Sequence, residues 1–170
     1  MVTVSMSLKT DPPLPPWTEQ WHVDSKVENI VLRDYAQIQY HFVEFILAHL
    51  ADCSRVFGGD LQEMVVLGLV GQVCIQSFNQ GKPLENQDDY AGINASRISD
   101  VLGIPRETVR RKLRSLSKRG WVVQTEDATW KLRMQDGDSV VRKELSDLDR
   151  RGLARMIKTA LALRPLLENN

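Results

Sequence analysis

The sequence predicts a mainly α protein in which two short helices run straight into a β-hairpin, with long helices on either side. Three observations carry that class. Between Asn94 and Arg133 a Gly-Ile-Pro turn divides two helix-forming runs. After Gly120 the apolar spacing changes from helical to that of a strand pair. The segments before and after this stretch carry apolar residues on helical stripes.

Met1 to Gln20 shows neither period, and Asp11-Pro12-Pro13-Leu14-Pro15-Pro16-Trp17 is polyproline-like. Residues 1–23 are therefore read as an N-terminal arm, either a free tail or a strap that docks through Trp17 and Trp21. From Asp24 to about Leu50 one long amphipathic helix is expected, capped by Asp24 or Ser25. Its stripe is Val27, Ile30, Val31, Ile38, Phe42, Phe45, Ile46 and His49. His41 and His49 are two turns apart, too far to share a zinc ion as i, i+4 ligands do. Gly58-Gly59 ends this run, and Asp60 caps a second helix from Leu61 to about Asn79. That helix is apolar nearly all round and so central. Gly68 and Gly71 on it are expected to let another helix approach. Cys74 is expected to be inert packing. A polar connection over 80–93 has room for a short strand to pair with the hairpin. Residues 24–93 thus form a helical core and dimerisation region.

Residues 94–133 form the central module. Asn94 is placed to cap a short helix carrying Ile98, Val101 and Leu102 on one face, and Gly103 ends it in the left-handed conformation. Pro105 opens the next helix, which runs to about Lys118 and stops at Gly120. Val109, Leu113 and Leu116 share one face of that helix. Glu107, Arg110, Arg111 and Arg114 occupy the other, flanked by Thr108 and Lys118. Glu107 stands one turn before Arg111 and is expected to hold its guanidinium. Lys112 lies towards the buried edge. A helix apolar on one side and rich in planar guanidinium forks on the other suits a major groove, because the fork fits guanine O6 and N7 or a phosphate. Trp121-Val122-Val123 and Trp130-Lys131-Leu132 then read as hairpin strands, with Glu126-Asp127-Ala128 at the tip. The residues assigned to DNA are Arg97, Arg106, Glu107, Thr108, Arg110, Arg111, Arg114, Lys118, Lys131 and Arg133.

The run Ile98-Ser99-Asp100-Val101-Leu102-Gly103-Ile104-Pro105-Arg106-Glu107-Thr108-Val109-Arg110-Arg111-Lys112-Leu113 resembles the winged helix-turn-helix of bacterial transcription regulators, most closely the MarR family. Its Arg-Glu-Thr-Val portion is also similar to the Crp-type helix-turn-helix. That group carries an upstream cyclic-nucleotide β-barrel, and the residues before Asn94 do not read as one. The resemblance implies a winged helix-turn-helix whose second helix reads double-stranded DNA, acting as a homodimer. MarR-like wings usually carry basic tips. Here the tip is Glu126-Asp127, which phosphate repels, so this wing departs from that pattern.

Past the hairpin, Gln135-Asp136-Gly137-Asp138 is a turn. Ser139 or Ser146 is expected to cap a final helix reaching about Leu163 and stopped by Pro165. Its stripe is Leu145, Leu148, Gly152, Met156, Ala160 and Leu163. Residues 134–170 are read as a dimerisation helix, with packing on the N-terminal helix of the same chain as the alternative.

Charge distribution supports the reading. The chain holds 22 basic and 22 acidic residues. The module has ten bases and four acids, net +6, so the rest holds 12 bases and 18 acids, net −6. Positive charge gathered on one module of a neutral chain is the footprint of a nucleic-acid binder. Cys53 and Cys74 are too few and too far apart for a disulfide framework or a CxxC site, which points to a reducing cytoplasm. No stretch has the length of a membrane span. No phosphate loop, HExxH or GxSxG occurs, which points away from an enzyme, and no pattern implies a cofactor or names an effector. The expected function is a cytoplasmic, homodimeric, sequence-specific transcriptional regulator. The rivals are a winged-helix protein-interaction module and a DNA-binding replication or partition protein.

Overall fold

A computed structural model describes residues 24–79 and 90–168. The N-terminal arm with its two tryptophans, and most of the polar connection, lie outside the described residues.

The expected single helix from Asp24 is two. α1 spans Ser25–Arg33 and α2 spans Tyr35–Val56, past the expected end at Leu50. Asp24 caps α1 by accepting the Lys26 N–H at 2.7 Å. The break falls at Asp34, a residue whose side chain competes with helical hydrogen bonding. Its carboxylate accepts from Arg33 Nε at 2.8 Å, while Arg33 Nη2 donates to the carbonyl of Leu166 at 2.9 Å near the chain's other end. Because the stripe is cut, only Ile30 of α1 is buried, and Val27, Val31 and Phe42 are exposed.

α3, Leu61–Asn79, is the central helix expected, and Asp60 accepts the Glu63 N–H at 3.0 Å as its cap. Val66, Leu69, Val70 and Val73 on it are fully buried. Its glycines do not admit a helix, contrary to expectation. A Cβ on Gly68 would meet nothing within 4 Å, and one on Gly71 would meet only Leu132 Cδ1, at 3.9 Å. Cys74 is buried. It donates to the carbonyl of Ala91 and accepts from the Leu132 N–H, both at 3.4 Å.

Next come β1 (Ile93–Asn94), α4 (Ala95–Leu102), α5 (Arg106–Lys118), β2 (Val122–Gln124) and β3 (Thr129–Leu132). The strands form an antiparallel sheet in the order β1-β3-β2, with Ile93 opposite Trp130 and Val123 opposite Lys131. β1 is the short strand for which the polar connection had room. The Thr125–Thr129 turn places Ala128 at φ 61°, the left-handed position of a hairpin usually given to glycine. A second hairpin follows, β4 (Met134–Gln135) and β5 (Asp138–Ser139), joined through Asp136 at φ 53° and Gly137 at φ 77°.

The final helix is also two. Ser139 caps α6 (Val140–Glu144), and α7 runs from Ser146 to Glu168 straight through Pro165. Proline there forfeits a hydrogen bond only in the last turn, where an Arg164–Glu168 contact at 2.5 Å and the Arg33 bond to Leu166 support the chain.

α7 packs on α2 of its own chain, the alternative left open by the sequence. Gly152 is buried against the His49 ring, where a Cβ would come within 3.0 Å of Cε1. Beside it, the buried Asp52 carboxylate accepts from Arg55 at 2.6 Å, Arg151 at 3.0 Å and Arg155 at 2.6 Å. The outward side of these helices is apolar and open: Tyr40, Leu47, Leu153, Ile157 and Leu161 are each more than half exposed. No helix among the described residues is long and apolar enough to cross a membrane.

Candidate nucleic-acid interface

The α4–α5 pair is fixed by local chemistry. Asn94 Oδ1 accepts the Arg97 N–H at 2.8 Å, and Gly103 takes φ 64° at the end of α4. Ser99 Oγ then donates to the carbonyl of Ile104 at 2.7 Å, locking the turn, and Ile104 is buried. Pro105 caps α5, one residue earlier in the helix than a first helical position. The far end closes through the Trp121 N–H to the carbonyl of Leu116, at 3.1 Å.

Val109, Leu113 and Leu116 are wholly buried and seat α5 on α3 and α4. Burying three such side chains supplies roughly 1.5–3 kcal/mol each, which fixes the azimuth of the helix. The opposite face is then dictated. Arg106, Glu107, Arg110, Arg111, Arg114 and Lys118 are all exposed, and Thr108 is half-buried at the edge. Arg97 and Arg133 are exposed nearby in sequence, on α4 and after β3.

Two expectations are corrected. Lys131 is buried in β3, because the alternation of the strand turns it inward, so it does not join the exposed cations. Glu107 does not hold Arg111. It sits 3.7 Å from Arg110 and 3.5 Å from Arg114, one and two turns on. These contacts are long and solvent-exposed, so each stabilises by a few tenths of a kcal/mol at most.

Arg111 leans instead towards Asp60, at the start of α3. Burial works against the Asp60 carboxylate, but the Lys112 ammonium, the Glu63 N–H and the nearby Arg111 charge outweigh it and hold the carboxyl below its usual range. Lys112, nearly buried, is ion-paired with Asp60 and so clips α5 to α3. Arg119 is structural too: it lies 4.8 Å from the Trp121 ring centre and 3.4 Å from the buried Glu63.

Between α5 and the sheet lies a groove of about 460 Å³, lined by Ser96, Arg110, Arg114, Gln124 and Trp130 among others. Ser96, Gln124 and Trp130 were not singled out from the sequence. Only the pairing of Gln124 with Trp130 brings them beside the arginines. The tip residues Glu126 and Asp127 are exposed, and Asp127 accepts from Thr125 and Thr129. No protein-family model, curated protein or solved structure matches this chain. Among the described residues no group of three or more His, Cys, Asp or Glu is placed to hold a metal ion. Chemically, the α5 face offers fixed cationic forks to a polyanion, with a polar groove alongside.

Proposed function

We propose that this protein is a sequence-specific double-stranded DNA-binding regulator that works as a homodimer through a winged helix-turn-helix of the MarR-like kind. The observation that carries the reading is the two-sidedness of α5: three wholly buried apolar residues on one side, and four exposed arginines on the other. In this reading α5 enters the major groove, while Ser96 and Arg97 at the start of α4 approach the backbone, where positioning contacts are made. The exposed apolar side of α2 and α7 is the surface on which a second copy pairs. Two-fold pairing would set the recognition helices about 34 Å apart, one helical turn of DNA.

Selection from a random duplex pool tests the reading. The expected product is a pair of inverted half-sites about 10 base pairs apart, centre to centre. A pool that stays random at low salt would refute it. A protein-docking role is favoured by one observation, the exposed acidic tip at Glu126 and Asp127. That role predicts no duplex binding at any salt.

A further inference from the structure

We propose that the cleft between α3 and the α6–α7 junction binds a small, largely apolar organic molecule carrying one protonated amine. The cleft has a volume of about 630 Å³. That is the size of sites that enclose small organic ligands, roughly 300–1,000 Å³.

The glycines make the case that the space is kept open. Gly68 and Gly71 both line the cleft from the middle of α3. A mid-helix glycine costs about 1 kcal/mol relative to alanine. Such a cost is usually explained by close packing, but no helix or backbone comes near either position. Side chains at 68 and 71 would project into the void, and their absence is what leaves room there. The body of the wall is apolar, with Phe57, Leu67, Leu132 and Leu148, and with Met64 and Met134 as adaptable surfaces.

Polarity is confined to a few groups. Asp138 and Arg142 answer each other at 3.3 Å. His49 lines the cleft, and its buried Nδ1 has no hydrogen-bond partner. Asp149 stands one turn before Gly152, which the His49 ring abuts. No hydrogen bond or ion pair reaches its carboxylate among the described residues, and burial pushes its carboxyl up. Cys53, Cys74 and Tyr90 complete the titratable lining. With His49 neutral and the Asp138–Arg142 pair self-compensated, the uncompensated charge is one carboxylate. That selects a cationic, hydrogen-bond-donating head over an anionic one.

The test needs no DNA, so it stands or falls apart from the regulator reading. The full chain is titrated with N-phenylnaphthylamine, an uncharged reporter that brightens in apolar surroundings. Phenylbutylamine and phenylbutyrate, with near-identical bodies and opposite heads, are then used to displace it. Expected are one saturable reporter site and displacement by the amine at least about tenfold better than by the carboxylate. Gly68→Leu, which fills the cleft from a helical position with open space around its Cβ, should weaken the reporter at least about tenfold without lowering Tm. Asp149→Asn, a change at an exposed residue, should abolish the preference for the amine. No brightening with the wild type would overturn the site. Equal binding by Gly68→Leu would place the reporter on the open helix faces and overturn it as well. Better displacement by phenylbutyrate would overturn the ligand class.

Discussion

Arg111→Ala is the sharpest probe of α5, because its neighbour Lys112 is an internal control. The exposed face carries Arg106, Arg110, Arg111, Arg114 and Lys118 against Glu107, net +4 per chain. A two-fold pair brings about eight charges to phosphates, and at about 0.9 per phosphate the logarithm of affinity should fall with that of salt at a slope near −7. Between 50 and 200 mM salt that is a loss of roughly ten-thousand-fold. Removing Arg111 from both chains takes away two contacts. If they are to phosphate, the slope becomes shallower by about 1.8 and every duplex is affected alike. If they are to bases, the selected duplex loses about 1–3 kcal/mol per half-site and one position in each half-site relaxes. Lys112→Ala should do the reverse. Its ammonium is tied to Asp60 and turned from the exposed face, so affinity holds while stability falls by about 1 kcal/mol, the scale of a charged hydrogen bond discounted for the partial exposure of Asp60. Fluorescence anisotropy on selected and random duplexes over a salt series reads both effects, and urea denaturation reads the second. An Arg111→Ala protein that matches wild type on every duplex and at every salt would refute the assignment of this face.

Three further outcomes are expected. Ala128 occupies a left-handed position at φ 61°, so Ala128→Gly should stabilise the fold by about 0.5–1 kcal/mol in urea denaturation, and a loss would show that the turn is not strained. Hydrogen bonds from Arg155 and Arg151 hold the Asp52 carboxyl at about 2, below its ordinary 3.8. The stability this confers is complete above the unfolded pKa and drains away as pH falls from about 4 towards 2. Asp52→Asn should remove that pH dependence, and parallel curves for the two proteins would refute the tie. Leu161→Glu places a charge on the open face of α7, where Leu161 is 61% exposed. It should convert a dimer to monomer in micromolar sedimentation with no loss of monomer fold, and wild type that sediments as a monomer throughout would remove this pairing surface.

The parts legible in the sequence are those fixed by neighbours along the chain. The caps at Asn94, Asp60 and Asp24, the turn at Gly103, and the division of α5 into buried and exposed sides all rest on contacts within a few residues. What the sequence misplaced depends on distant partners. The break at Asp34 is steadied by a bond from Arg33 to Leu166, and α7 continues past Pro165 under the same bond. Lys131 is a cation by type but an inward residue by strand phase, which a register shift of one residue would reverse. The glycines of α3 showed that something unusual happens along that helix. Only the tertiary structure shows that it is a space and not a neighbour.

α3 touches two surfaces at once. Its start is clipped to α5 through Asp60 and Lys112, and its middle forms a wall of the cleft. Whatever displaces this helix is felt on both sides. A ligand that prefers one setting of α3 by 1.4 kcal/mol, about a factor of ten, can alter the affinity of α5 for its own partner by no more than that factor. The partner must alter the ligand's affinity to the same extent, because coupling between two sites is a single free energy read from either end.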